Sequence, residues 1–501
     1  MSLLSPERVR LAPGLSISRV VTGLWQIADM ERDGRVLDLD AAARAMTPYV
    51  EAGFTSFDMA DHYGSAELIA GKCLASGDPD RVQLFTKWVP APGPVTAADV
   101  RAAVERSLTR LGTETIDLLQ FHAWNYADPS WLDALFHLQG LKHEGCIRHL
   151  GLTNVDAAHL RLVLASGIEV VSNQVSGSLI DRRAAGRLAA VCAEYGVGLL
   201  AYGTVCGGWL SDKWLGQDEP DWERTGTWSQ MKYGRFIRAA GGWSALQRVL
   251  RAARAVADRH GVSLTNVATR FIVEQRGVAA VIVGARLGER AHIEDNARLC
   301  AFQLSAEDHA ELEAAIATLT PIPGDCGDEY RTPPFLTTSG DLSHHLDALP
   351  PPYEVRPGRH GTRRCFSGTP WEPLAGFSRA VRAGRRISVS GTTATHGHRL
   401  IGGTDPAAQT HAVIDKIEGA LQSLGARLDH VVRTRVFVSH LDHWEPVARA
   451  HGERFGAIQP ANTLVEARLV GAEYLVEIEA EAEVPDDLQG LGAGDRKMHI
   501  L

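Results

Sequence analysis

The sequence predicts an α/β protein in two parts, a (β/α)8 barrel followed by a small α+β domain. Three observations carry this. Between Arg19 and about Arg286, a short apolar run followed by an amphipathic helical stretch recurs eight times. Residues 321 to about 365 break that rhythm with a crowd of prolines. From about Phe366, strand-like and helix-like runs return in a different order.

The eight apolar runs are 20–25, 54–59, 83–88, 116–122, 149–154, 170–174, 198–202 and 280–284. Most are rich in Val, Ile, Leu and Phe, as strands buried on both faces should be. Helical patterns lie between them. The clearest runs from Thr96, a suitable cap, to a stop at Gly112. Eight such units in about 300 residues favour a closed parallel barrel. An open doubly wound sheet would usually bring a Gly-x-Gly-x-x-Gly turn after an early strand, and none is found.

These patterns divide the chain into a barrel over residues 1–320, a connecting segment over 321–365, a second domain over 366–486 and a tail over 487–501. The connecting segment holds Pro321, Pro323, Pro333, Pro334, Pro350, Pro351, Pro352 and Pro357. It also carries Tyr330, Arg331, Phe335, His344, His345 and Asp347, more aromatic and charged groups than a flexible linker needs. It is expected to pack on something, the barrel mouth being one place. In the second domain, 386–390, 431–438, 463–469 and 474–484 read as strands, while 409–424 and 444–455 read as helices. The last strand alternates Val476, Ile478, Ala480 and Ala482 with Glu477, Glu479, Glu481 and Glu483. Such a sheet should carry its helices on one face.

Bulk properties exclude several roles. The 501 residues are 45% hydrophobic and 22% charged, with a net charge of −9 and no basic stripe to neutralise phosphates, so a nucleic-acid partner is not expected. No run approaches the ~18 apolar residues of a membrane span, and the N-terminus does not read as a signal peptide. Seven scattered cysteines fit reduced thiols and a cytoplasmic setting. No metal site is expected. His344-His345 and His396-Gly397-His398 sit in turn-like contexts and read as solvated loop residues.

In a barrel of this kind, polar residues at the C-terminal ends of strands read as catalytic. Asp58 ends the second run in Phe57-Asp58-Met59-Ala60-Asp61-His62-Tyr63-Gly64, and Tyr63 follows in the loop. Lys87 ends the third run and His122 the fourth. Taken singly, each has an ordinary reading as a cap, a packing ring, a solvated cation or a core histidine. Together on one rim they make a chemical set. Hydride addition to a carbonyl builds negative charge on oxygen, so an acid must deliver a proton. A phenol is a poor acid at its free pKa of ~10. A buried ammonium at Lys87 is expected to lower the pKa of Tyr63, with Asp58 keeping Lys87 charged. His122 would orient the substrate oxygen.

With these residues in place, 1 to about 320 resemble the aldo-keto reductase family, whose tetrad is Asp, Tyr, Lys and His at these strand ends. Gly23-Leu24-Trp25 resembles the family's first-strand Gly-x-Trp, and its Trp25 would border the substrate pocket. The resemblance implies that Asn154 and Gln174, with Thr153, hold a nicotinamide carboxamide and that Tyr202 stacks on its ring. Gly203 and Thr204 replace the family's Ser and Pro after that tyrosine. The stretch from Val281 to Arg286 resembles the segment meeting the adenosine end. It includes Gly284, implies Arg286 as the partner of a ribose 2′-phosphate, and implies Asn296 at the adenine. NADPH is thereby implied over NADH, with a small-molecule carbonyl as substrate. Arg290 and His292 stay open as contributors. Trp209, Trp214, Trp222, Trp228 and Trp243 crowd the insertion after the seventh run. They would either wall the pocket for an apolar, aromatic or sugar-like substrate or simply pack the insertion.

Residues 366 to about 486 resemble the RidA (YjgF) family of reactive enamine/imine deaminases. The carrying stretches are Val389-Ser390-Gly391-Thr392, residues 432–438, Pro460-Ala461-Asn462-Thr463 and residues 476–480. The resemblance implies a chorismate-mutase-like fold and a homotrimer with clefts between subunits. The family's carboxylate-binding Arg is Asn462 here, its aromatic is Phe377, and Glu477 matches its acidic position. The two departures turn the expectation toward a trimerising, small-molecule-binding module. A bifunctional imine- and carbonyl-processing enzyme and a nicotinamide-binding redox sensor remain open alternatives.

Overall fold

The computed structural model describes residues 6–77, 81–222 and 226–485; the tail over 487–501 lies outside them. Eight parallel strands close into a barrel: β1 (Val20–Gly23), β2 (Ser56–Asp58), β3 (Gln83–Trp88), β4 (Ile116–Phe121), β5 (Ile147–Thr153), β6 (Val170–Ser176), β7 (Gly198–Tyr202) and β8 (Val278–Gly284). Each pairs with its sequence neighbours, and β8 closes on β1 with Val281 opposite Val20. All eight predicted runs are therefore strands. The expected helix caps also hold. Thr96 and Asp99 form a reciprocal capping box before Ala97–Leu111, and Gly112 ends that helix at φ 64°.

The core has two layers. One lies between strands and surrounding helices, around Phe54, Phe57, Leu135, Leu138 and Phe271. The other fills the barrel interior, where Val21, Phe85, Leu118, Leu200 and Ala280 meet Leu11, Leu15 and Ile17. These last three come from an antiparallel hairpin, Arg8–Ala12 with Leu15–Ser18. Filling the interior from the hairpin side leaves the C-terminal strand ends as the open end.

The second domain is built on a seven-stranded sheet, beside a short separate hairpin of Thr395–His396 with Arg399–Leu400. The strands of the sheet in chain order are β9 (Glu354–Pro357), β10 (Arg363–Phe366), β11 (Ala380–Ala383), β12 (Arg386–Thr393), β13 (Val431–Val438), β14 (Ala461–Glu466) and β15 (Val476–Glu483). The spatial order is β9-β10-β11-β12-β15-β13-β14, antiparallel except for β13 with β14. The hairpin β9–β10 is the end of the proline-rich segment, which joins the sheet edge by pairing with β11. Along β15, Val476, Ile478, Ala480 and Ala482 are buried under the helices, and their Glu neighbours face out. Helices Pro406–Ser423 (α2) and Trp444–Phe455 (α3) cover that inner face.

Helix α2 also faces the barrel. It packs on Ala157–Ala165 (α1) of the barrel, so it is sandwiched and thirteen of its residues are buried. Polar contacts tie this seam. Arg161 donates to Asp405 (2.8 Å), Asn125 to Gln422 (2.9 Å), and His396 meets Asp133 (2.9 Å). Among the described residues, no helix is long and apolar enough to cross a membrane, and no group of three or more His, Cys, Asp or Glu could hold a metal ion.

Candidate active site at the open end of the barrel

Asp58, the last residue of β2, is 3% exposed, and Lys87 on β3 is 4% exposed. Lys87 Nζ donates to Asp58 Oδ2 (2.6 Å) and to Met59 O (2.8 Å). The other Asp58 oxygen accepts from Gln120 Nε2 (2.9 Å) and Gln174 Nε2 (2.7 Å). An ion pair this deep in the protein needs further hydrogen bonds, here from Lys87 to Met59 O and from the two glutamine amides to Asp58. Gln120, on β4, was not singled out from the sequence. Its inward-facing amide in a run of Leu and Phe is the signal for it.

Tyr63 stands above this pair, with Lys87 Nζ 4.8 Å from its ring centroid. Trp25 packs edge-on against the ring at 4.9 Å. The turn after Tyr63 needs Gly64. Its φ is 55°, and a Cβ there would lie 1.9 Å from the Glu31 carboxylate, which accepts from Ser65 N (2.8 Å). The expected drop in the Tyr63 pKa is not what this environment produces. Burial pushes the phenol well above its ordinary value, and Asp58 and Asp341 push the same way. Lys87 is lowered, because burial outweighs the help of Asp58. The depth at which the phenol lies, which the sequence does not reveal, outweighs the nearby ammonium.

His122 follows β4. Burial, then Arg331 and His62, hold its pKa well below the ordinary value, so the ring is neutral at pH 7. Its Nε2 is buried without a hydrogen-bond partner, and such an atom calls for a ligand group.

One pocket gathers the tetrad. Gly23, Trp25, Thr153, Asn154, Gln174, Tyr202 and Gly284 line it as well. The Tyr202 hydroxyl donates to Asn154 Oδ1 (2.7 Å), and Asn154 holds φ 59°. Thr153 Oγ1 donates to Gln174 O (3.1 Å). Arg286 and Asn296 do not line this pocket. Arg286 donates to Asp29 (2.9 Å) and Glu289 (2.7 Å), and Asn296 lies on the short helix Ile293–Arg298.

The tryptophan insertion divides. Trp209, Trp214, Trp222 and Trp243 pack on one another, whereas Trp228 lines the pocket, 5.8 Å from Trp25. The connecting segment covers the mouth. Tyr330, Thr338 and Asp341 line the pocket, and Arg331 donates to Ala123 O and Asn154 O. Sequence reasoning missed Lys232, Tyr330 and Asp341 as pocket residues. The aromatic and charged density of 321–365 was the available signal.

In the second domain the three singled-out residues sit on separate elements, Phe377 before β11, Asn462 on β14 and Glu477 on β15. Phe377 lines a cleft between the domains, with the Arg379 guanidinium 5.3 Å from its ring. Asn462 donates to Thr434 Oγ1 (2.9 Å) on the neighbouring strand. Glu477 lies against Gly391, its pKa raised by burial and by Glu479.

The sequence profile described as "Aldo/keto reductase family" matches residues 19–317, and the one described as "Endoribonuclease L-PSP" matches 369–484. An uncharacterised protein of Streptomyces coelicolor is 40% identical over 121 residues, 24% of this chain and 90% of that protein. Protein tas of Escherichia coli is 28% identical over 317 residues, 55% of this chain and 89% of its own. Among solved structures, the glycerol dehydrogenase AKR11B4 from Gluconobacter oxydans superposes with a TM-score of 0.52 at 23% identity. It covers 64% of this chain and 97% of its own, a likeness of fold.

Proposed function

Because the chain belongs to the aldo/keto reductase family through its barrel and carries a RidA-like domain behind it, we propose that it is a nicotinamide-dependent oxidoreductase that interconverts a small carbonyl compound and its alcohol, with Tyr63 as the general acid. The observation that carries this reading is the buried Asp58–Lys87 pair beneath Tyr63, in one pocket with the unpartnered Nε2 of His122.

The pocket residues suit a nicotinamide dinucleotide. Asn154, Gln174 and Thr153 offer amide and hydroxyl groups there, Tyr202 offers a ring face, and Gln26 Oε1 is a second buried atom without a partner. When bound, that cofactor supplies or takes the hydride. The phenol of Tyr63, kept protonated by its burial, gives its proton to the substrate oxygen in reduction. Lys87 favours the phenolate left behind, and Asp58 holds Lys87 in place. His122 Nε2 orients the same oxygen. NADPH is the proposed form, with Arg286 at the 2′-phosphate, which must take its guanidinium from Asp29 and Glu289. The RidA-like domain is proposed to bind small molecules and to gather three chains, raising the local concentration of barrels, in a cytoplasmic protein.

The test is oxidation of NADPH, with NADH alongside, against aldehydes, ketones and sugars. Turnover that vanishes in Tyr63→Phe while cofactor binding persists is the expected result. Undiminished turnover in that variant removes Tyr63 from its role. Sedimentation of the full chain as anything other than a trimer removes the assembly.

A further inference from the structure

Among the pocket residues that come from outside the strand ends, three form a set of their own. Lys232 lies on the helix Trp228–Ala239 of the insertion after β7, and Tyr330 and Asp341 lie on the connecting segment. Lys232 Nζ donates to the Tyr330 hydroxyl and pairs with Asp341 Oδ2 at 3.3 Å. The Tyr330 ring packs edge-on against His122, with centroids 5.2 Å apart, and its hydroxyl is 3.4 Å from that of Tyr202. The ammonium lies 4.7 Å from the Tyr330 ring centre and 5.1 Å from that of Tyr202. Phenol, ammonium and carboxylate therefore meet a second time in one pocket, close to the histidine of the first set.

This set has hydrogen-bonding capacity to spare. The ammonium has three N–H groups and uses two, on Tyr330 and Asp341. Although burial works against it, Asp341 keeps Lys232 charged. The pair is neutral overall, so it presents a donor and an acceptor together without net charge.

We propose that Lys232, Tyr330 and Asp341 recognise a hydroxyl group on the substrate chain beside the carbonyl, so that the substrate class is hydroxyaldehydes and hydroxyketones. This rests on the oxidoreductase reading above. An alkyl chain in that place would strand buried polar groups, and sites built for a hydroxyl reject analogues lacking it by large factors. A carboxylate would face the carboxylate of Asp341. A hydroxyl satisfies both partners by donating to Asp341 and accepting from Lys232. Trp25 and Trp228 line the same pocket and supply apolar surface for the C–H groups of such a chain.

The test compares glyceraldehyde, propanal and succinic semialdehyde as NADPH-dependent substrates of the full chain. The expected kcat/KM for glyceraldehyde exceeds that for propanal by at least ~100-fold. In Lys232→Met, Asp341→Asn and Tyr330→Phe that ratio falls at least ~10-fold, mainly through KM. Binding of xylitol, read by tryptophan fluorescence, weakens in the same variants and needs no turnover. Turnover without a hydroxyl preference, a preference for succinic semialdehyde, or equal losses on both neutral aldehydes overturns the proposal and leaves the oxidoreductase reading standing. No turnover of any aldehyde, with xylitol binding still dependent on Lys232, overturns that reading and keeps the hydroxyl site.

Discussion

His159 of the barrel lies 3.1 Å from Asp415 of the second domain, Nε2 to Oδ2, while its Nδ1 meets Asp156 at 2.7 Å. Burial disfavours the charged ring, but the two carboxylates outweigh it and raise the pKa to about 9. A raised histidine contributes stability that is fully present below its unfolded pKa of ~6.5 and is lost as pH rises through about 9. The contribution is roughly 3 kcal/mol at most. Asp156 and Asp415 are depressed, so their share is lost only in acid. Thermal stability should therefore fall between pH 7 and 9.5, and His159→Gln should flatten that slope. Identical slopes in both proteins would show that the seam does not depend on this charge.

The same seam makes a prediction about packing. Gly419 on α2 would place a Cβ 2.3 Å from Ala127 O and 2.8 Å from the Tyr353 ring. Glycine to alanine inside a helix ordinarily gains about 1 kcal/mol. Here a backbone oxygen blocks the methyl, and overpacking costs about 1–3 kcal/mol. Gly419→Ala should lower the urea midpoint. Gly452→Ala on α3, with nothing within 4 Å of the new Cβ, should raise it. A midpoint raised by both substitutions would mean that the domains are not docked through α2.

The barrel was legible because its strands are packed on both faces, so runs such as Val278–Gly284 carry only apolar residues. Asp58, Lys87 and His122 were legible as residues of one pocket because they sit at the ends of β2, β3 and β4, and Tyr63, in the loop after β2, was legible only as a member of that set. Tyr330 and Asp341 were not, since no periodicity governs where irregular chain folds back, and Lys232 was not, since its helix in the insertion after β7 carries no signal of where it docks. The dual burial of α2 was hidden too. Gln409, Asp415 and Lys416 are polar residues that read as a solvated face but are buried at 0%, 5% and 7% exposure.

Asp58→Asn tests the pair beneath Tyr63. Lys87 would lose its counterion while staying buried, and breaking such a pair costs about 3–5 kcal/mol. Burial already lowers the Lys87 pKa, and Asp58 is the group that offsets it. The variant should lose at least ~100-fold in kcat, with its remaining activity shifted toward lower pH, where Lys87 regains its proton. A pH–rate profile of unchanged shape would mean that the charge on Lys87 does not limit turnover.

Arg286 is held by Asp29 and Glu289 at 2.9 and 2.7 Å. Whether a 2′-phosphate takes it is therefore a competition between anions for one guanidinium. A charge-assisted hydrogen bond contributes about 1.5–3 kcal/mol, enough for roughly a ten- to hundred-fold preference. Arg286→Met should cut the ratio of NADPH to NADH affinity by at least ~10-fold. Asp29→Asn removes one competitor and should raise that ratio several-fold, a gain that a purely structural ion pair would not give. Binding titrations of both cofactors decide the matter. A ratio that neither substitution moves would mean that the adenosine end is read elsewhere, with Arg290 and His292, both exposed beside it, as the next residues to change.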